Sequence, residues 1–165
     1  MTHSGLQKTW VRILLTVLTA AMMALIFFFS TEPAEKSDAT SGGISRAIIN
    51  VAYPQFDSYP QERQKEIFDS VQFPVRKAAH FTEYLVLGAL LRLCLESWLG
   101  KRRFLLPAAW AGGTLYACTD ELHQMLIDGR SGQWTDVLLD SCGVLAGVLL
   151  VTLILGRLQK KGKDR

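Results

Sequence analysis

Ionisable side chains occur at three places in this chain where the surrounding residues are strongly apolar. Placing such a group in a hydrocarbon layer costs about 2.5–3.5 kcal/mol at the layer's centre, so each is treated as a candidate functional residue. The densest concentration lies within residues 119–147. In chain order the candidates are His80, Glu83, Tyr84, Asp120, Glu121, His123, Gln124, Arg130, Asp136 and Asp140.

Four kinds of chemistry fit this set of side chains. Carboxylates with histidine could bind Zn²⁺ or Mn²⁺, but no standard metal-ligand spacing is present, and neither a metal nor another cofactor is expected. The carboxylates could instead bind and move protons or cations. They could recognise a polar headgroup or glycan, with Arg130, Arg76 and Lys77 available for a phosphate. They could also satisfy one another and fix the register of neighbouring helices. We favour recognition, and a catalytic role is the less favoured interpretation.

Four apolar blocks of about twenty residues each must position these side chains. The blocks cover residues 10–29, 78–98, 104–126 and 136–156, and ~20 residues of helix span a hydrocarbon layer ~30 Å thick. Core helices of a soluble bundle would show a polar face at every turn, whereas residues 144–155 contain a single Thr as their polar residue. The sequence therefore predicts an all-α, integral membrane four-helix bundle that forms a single domain.

Lys and Arg residues are concentrated beside particular block ends. They precede the first block, separate the second from the third at residues 101–103, and follow the fourth at residues 157–165. The positive-inside rule then predicts that both termini are cytoplasmic. Residues 30–77 become an extracytoplasmic loop, with short amphipathic helices at 44–53 and 61–73 that are punctuated by prolines. Arg92 and Glu96 are interpreted as interface residues that reach water at the cytoplasmic end.

Helical periodicity places the candidates on one side of each of three blocks, at about 100° per residue. These stripes contain His80, Glu83 and Tyr84 in the second block, Asp120, His123 and Gln124 in the third, and Asp136 and Asp140 in the fourth. With the predicted topology all three stripes lie in the outer leaflet, so they are expected to line a polar pocket that opens outward. Small residues at Gly113, Gly143 and Gly147 are expected to allow close helix packing.

At these residues the chain resembles the VanZ-like family of small bacterial membrane proteins. The resemblance rests on RKAAHFTEYLVLGALL at 76–91, on DELHQMLIDGRSGQWTDVLLDSCGVLAG at 120–147 and, more loosely, on residues 27–44. It implies a location in the bacterial plasma membrane and a link to glycopeptide susceptibility, because the family's namesake is associated with low-level resistance to teicoplanin. It implies no established reaction. The family commonly has Asn where this chain has Asp140, so this chain adds a carboxyl group to the pocket.

The expected partners are the lipid bilayer and an envelope lipid or wall precursor bound in the pocket, and no nucleic acid is expected. Two other functions stay open. An intramembrane metal-dependent hydrolase or transferase acting on a lipid-linked substrate would require a stoichiometric metal ion. A non-catalytic membrane scaffold would depend more on residues 44–73 than on the buried carboxylates. The identity of the ligand and the oligomeric state are not determined by these patterns.

Overall fold

The computed structural model describes residues 8–31, 34–127 and 132–163. Within these ranges there are five α-helices and no strand, so the predicted all-α fold is confirmed. A short 3₁₀ turn, Phe56–Ser58, precedes the longest helix. The helices are α1 Thr9–Ser30, α2 Ala34–Ala52, α3 Gln61–Leu99, α4 Leu105–Gln124 and α5 Trp134–Lys163.

Three of the described helices, α1, α3 and α5, are long and apolar enough to cross a membrane, which confirms that the chain is a membrane protein. The fourth predicted span corresponds to α4. Its 20 residues extend about 30 Å, the thickness of the hydrocarbon layer. It is not among those three, because Asp120, Glu121 and His123 in its last turns interrupt its apolar stretch. It nevertheless packs along both α3 and α5.

The four long helices run alternately in opposite directions, so the bundle has two chemically different ends. Near the end of α3, Trp98 Nε1 donates a hydrogen bond to Thr16 Oγ1 near the start of α1, at 3.1 Å. Lys101 Nζ, just after α3, donates to Gln159 Oε1 near the end of α5, at 2.7 Å. We call this the basic end, and the opposite end, where α4 stops and α5 starts, the carboxylate end.

Helices α3 and α5 approach closely because glycines face backbone atoms across their interface. A Cβ atom on Gly88 of α3 would collide with the backbone of Val144, and one on Gly147 of α5 would collide with the carbonyl oxygen of Leu85. A Cβ on Gly143 would lie 2.6 Å from the carbonyl oxygen of Phe81. On α4, Gly113 occupies a similar position, since its Cβ would lie 2.5 Å from Val144 Cγ1. These contacts surround a core of Tyr84, Leu87, Ala117, Val144 and Val148.

Helix α3 differs from the sequence prediction in its length. It contains 39 residues, about 58 Å at 1.5 Å per residue, and it continues through Pro74. The short helix expected at residues 61–73 is therefore the first part of α3. A proline removes one helical hydrogen bond, but Pro74 and Ser70, whose carbonyl loses its donor, are both exposed. The missing bond thus lies away from the packed side.

Helix α2 packs against the first part of α3. Ile49, Phe56 and Ile67 form a small buried cluster between them, and Ser45 Oγ donates a hydrogen bond of 2.6 Å to Gln72 Oε1. The helix expected at residues 44–53 is thus the second half of a longer helix that begins at Ala34. We call α2, the 3₁₀ turn and residues 61–73 the hairpin. It forms an ordered projection beside the bundle.

Candidate functional site

One buried polar side chain from each of α3, α4 and α5 converges inside the bundle. Tyr84, Asp120 and Asp140 are 0%, 3% and 2% exposed, and the Tyr84 hydroxyl interacts electrostatically with both carboxyl groups. Within the described residues, Tyr84 Oη, Asp120 Oδ1 and Asp140 Oδ1 make no hydrogen bond of standard geometry, although the Tyr84 hydroxyl lies close enough to the Asp120 carboxyl group to interact with it as a hydrogen-bond partner. Leaving a buried polar atom unsatisfied costs about 1–3 kcal/mol, so this group, the buried trio, marks the candidate site.

Local packing holds the buried trio in place. Gly143 lies on α5 beside Tyr84, where an added Cβ would come within 3.2 Å of the Tyr84 Cβ. The glycine therefore lets the tyrosine-bearing turn of α3 approach α5 closely. On α4, Gln124 Nε2 donates a hydrogen bond of 3.0 Å to Asp120 Oδ2. This bond orients the Asp120 carboxyl group through Oδ2, so that Oδ1 faces the other two members of the trio.

Further carboxyl groups surround the trio towards the carboxylate end. Asp140 interacts electrostatically with Glu83, Asp120, Glu121 and Asp136, so five carboxyl groups form one cluster, which we call the acidic cluster. Lys77 of α3 forms an ion pair with Asp136 of α5. Glu121 accepts a hydrogen bond of 2.5 Å from the backbone N–H of Gln133, the residue just before α5. These contacts tie the ends of α3, α4 and α5 together.

Other predicted site residues have different surroundings. The ring of His123 packs against Phe27 of α1 with 4.6 Å between centroids, so this side chain is directed to α1. His80 and Glu83 are half-buried on α3. Arg130 lies outside the described residues. Across the described ranges, no group of three or more His, Cys, Asp or Glu side chains is arranged to hold a metal ion.

An apolar groove adjoins the acidic cluster between α1, α2 and α3. Its volume is about 550 Å³, within the range of ~300–1,000 Å³ typical of small-molecule sites. Glu83 lines the groove and also belongs to the acidic cluster, so the apolar and acidic surfaces are continuous. The remaining lining residues are Met22, Ile44, Ile48, Val75, Ala78, Ala79, Thr82 and Val86. The groove was not predicted, because it depends on α2 packing beside α3.

The prediction that Arg92 and Glu96 reach water is wrong. They are 6% and 1% exposed, and Arg92 Nη1 lies 2.5 Å from Glu96 Oε2. Arg92 Nε also donates to Thr152 Oγ1 of α5 at 3.2 Å. Both residues lie on the same side of α3 as the residues that face the bundle interior, because a spacing of four connects Tyr84, Gly88, Arg92 and Glu96. Extending the polar stripe of α3 along this spacing would have predicted that Arg92 and Glu96 lie between α3 and α5 and not at the membrane surface.

Comparison with known proteins is consistent with this architecture. The family model described as VanZ/LLP1 matches residues 15–155, a range that includes the buried trio, the acidic cluster and the hairpin. No curated protein and no solved structure gives a significant match. Because the family model covers most of the chain, we conclude that this membrane protein belongs to the VanZ/LLP1 family.

Proposed function

We propose that the acidic cluster binds a component of the bacterial cell envelope, a lipid headgroup or a wall precursor, and that this binding lowers susceptibility to glycopeptides such as teicoplanin. The observation that supports the proposal is the buried trio. Its three oxygens come from three helices and, apart from the interaction of the Tyr84 hydroxyl with Asp120, make no standard hydrogen bond among the described residues. Buried polar atoms in native proteins nearly always have a partner, and a ligand that donates hydrogen bonds would supply one.

The surroundings of the trio favour an amphipathic ligand. Five carboxyl groups attract ammonium groups and accept hydrogen bonds from hydroxyl or amide groups. The adjoining groove is lined almost entirely by apolar side chains, which suits an acyl chain. Glu83 lies at the boundary between the two surfaces. A lipid or lipid-linked precursor could therefore place its headgroup in the acidic cluster and its chain in the groove.

The proposed orientation directs the carboxylate end outward and both termini into the cytoplasm of the bacterial cell. It is supported by the cations at the basic end, which lie at residues 101–103 and at Arg157, Lys160, Lys161 and Lys163, because Lys and Arg are retained on the cytoplasmic side. A ligand in the outer leaflet could then enter the site from the membrane surface at which glycopeptides act.

The experiment is a teicoplanin susceptibility test in a sensitive bacterial host that expresses the full-length chain. We expect the wild-type protein to raise the inhibitory concentration and Asp120→Asn to abolish most of the increase, because a neutral amide binds a cationic or donor-rich headgroup weakly. Asp69→Asn is the matched control, since it removes the same charge from an exposed position on α3. Membrane insertion of every variant is checked by immunoblot.

Two results would count against the proposal. If Asp120→Asn inserts normally and protects as well as the wild type, the acidic cluster is not the binding site. If the wild type itself gives no protection, the link to glycopeptides is wrong. Binding of envelope lipids to the purified protein would then test recognition separately.

A non-catalytic scaffold is the second candidate, because the hairpin exposes apolar side chains. Val51 is 84% exposed and Phe73 56%, and an apolar surface of this kind is typical of a contact site for another protein. The same susceptibility test distinguishes the candidates. The scaffold would be favoured if the Val51→Ser/Phe73→Ser variant lost its protection against teicoplanin while the Asp120→Asn variant protected as well as the wild type.

A further inference from the structure

A polar cavity lies at the basic end of the bundle, away from the acidic cluster. Its volume is about 450 Å³. Four of its six lining residues are cationic, and the lining consists of Arg92, Lys101, Arg102, Arg103, Leu106 and Thr152. Side chains from α3, from the turn after it, from α4 and from α5 therefore surround one basic cavity.

The floor of this cavity is built from buried polar groups. Arg92 is held by its ion pair with Glu96 and by the hydrogen bond from its Nε to Thr152. Thr152 Oγ1 in turn donates to the carbonyl oxygen of Val148 at 2.8 Å. The guanidinium group is thus fixed between α3 and α5, and little side-chain entropy remains to be lost when it contacts an anion.

The rim of the cavity retains its positive charge. Lys101 Nζ contacts the neutral amide of Gln159, and Arg102 Nε is directed at the carbonyl oxygen of Leu99, at 3.4 Å. No carboxylate in the described part of the chain pairs with residues 101–103. Glu96 compensates the charge of Arg92, so three cations at the rim remain available to an anionic ligand.

Aromatic side chains place the cavity mouth at the level of lipid headgroups. Trp98 and Phe104, on either side of the cationic turn, are both exposed, and the Arg12 guanidinium lies over the Trp98 ring at 5.4 Å. Tryptophan is enriched where a membrane helix meets the polar interface. A ligand with its phosphate in the cavity could therefore keep its acyl chains in the bilayer.

We propose that this basic cavity binds the phosphate of an anionic phospholipid headgroup. Arginine side chains match the geometry of phosphate oxygens, and basic pockets between membrane helices are typical sites for anionic headgroups. The site is separate from the acidic cluster and does not depend on the proposed function, so either proposal can fail alone.

The test uses the purified full-length protein in zwitterionic detergent, with phosphatidylglycerol as the probe and native mass spectrometry as the readout. We expect a tightly bound phosphatidylglycerol and no comparable phosphatidylcholine. Lys101→Gln/Arg103→Gln should weaken phosphatidylglycerol binding about 25-fold, since each surface cation contributes about fivefold and the two contributions multiply. Lys160→Gln/Lys161→Gln is the matched control, because it removes the same charge from exposed positions near the same end but outside the cavity lining.

Three outcomes would overturn the proposal. An equal loss in both double variants would mean diffuse attraction to basic residues. Undiminished binding in the Lys101→Gln/Arg103→Gln variant would mean that the cavity is not used. Full displacement of the lipid by equimolar inorganic phosphate would mean that the site recognises free phosphate and not a phospholipid.

Discussion

Tyr84 and Tyr116 use their hydroxyl groups differently, although their ring centroids are only 6.4 Å apart. Tyr116 Oη donates a hydrogen bond of 2.6 Å to the carbonyl oxygen of Met23, which connects α4 to α1. The Tyr84 hydroxyl instead lies among the carboxyl groups of the buried trio and interacts with Asp120, without a hydrogen bond of standard geometry to the described residues. The first hydroxyl is structural, and the second belongs to the candidate site.

Replacing each tyrosine by phenylalanine should separate these roles. Tyr116→Phe should lower the free energy of unfolding by about 0.5–1.5 kcal/mol, the usual net contribution of one hydrogen bond. Tyr84→Phe should leave it near the wild-type value or raise it, because the substitution removes a buried hydroxyl that makes no hydrogen bond of standard geometry, but it should reduce teicoplanin protection. Unfolding of both variants in detergent, followed by circular dichroism, provides the measurement. Equal destabilisation by the two substitutions would assign the Tyr84 hydroxyl a structural role as well.

At the scale of elements, helix α5 contains two glycines with opposite surroundings. Gly147 faces the backbone of α3, where an added Cβ would collide with Leu85. Gly156 is exposed, and an added Cβ there would meet no atom within 4 Å. The first glycine sets the distance between α3 and α5, and the second has no packing role within the described chain.

Alanine should lower the stability of the bundle at position 147 but not at position 156. Gly147→Ala should destabilise the bundle by about 1–3 kcal/mol, because an added carbon in a tightly packed interface forces the helices apart. Gly156→Ala should be neutral or stabilising by up to about 1 kcal/mol, since alanine favours helix. Thermal unfolding in detergent compares the two. If the Gly147→Ala variant were as stable as the wild type, the space between α3 and α5 at Leu85 would have to be large enough for an extra methyl group, which contradicts the close approach of these helices.

At the scale of the whole molecule, α3 connects two polar sites of opposite charge. Tyr84 of the buried trio and Arg92 of the basic cavity lie eight residues apart on α3, about 12 Å along its axis. An acidic and a basic site thus lie towards opposite ends of one bundle. If the bundle spans the bilayer in the proposed orientation, each site meets a different leaflet.

Cysteine labelling of intact cells tests that orientation. In a variant with Cys94, Cys118 and Cys142 replaced by alanine, Thr135→Cys marks the carboxylate end and Lys161→Cys the basic end, both at exposed positions. A membrane-impermeant maleimide should label position 135 from outside and position 161 only after lysis. The reverse pattern would place the acidic cluster on the cytoplasmic side and exclude direct action on external glycopeptides.

Several properties of this protein were determined by the sequence alone. Apolar blocks of about twenty residues predicted the membrane helices, because hydropathy and length are local properties of a segment. Helical periodicity placed the candidates on one side of three helices, and the structure brings Tyr84, Asp120 and Asp140 together with Glu83, Glu121 and Asp136. That these residues bind a ligand stays a prediction.

Only the tertiary structure decided how the elements meet. Helix α3 continues through Pro74 because the lost hydrogen bond lies on an exposed side. Arg92 is buried because Glu96 and Thr152 satisfy it, and His123 is directed to α1 because Phe27 packs against its ring. The apolar groove exists because α2 lies beside α3. Each of these outcomes depends on a contact with a residue distant in sequence, or on which side of a helix is covered by its neighbours. A local sequence pattern contains no information on either.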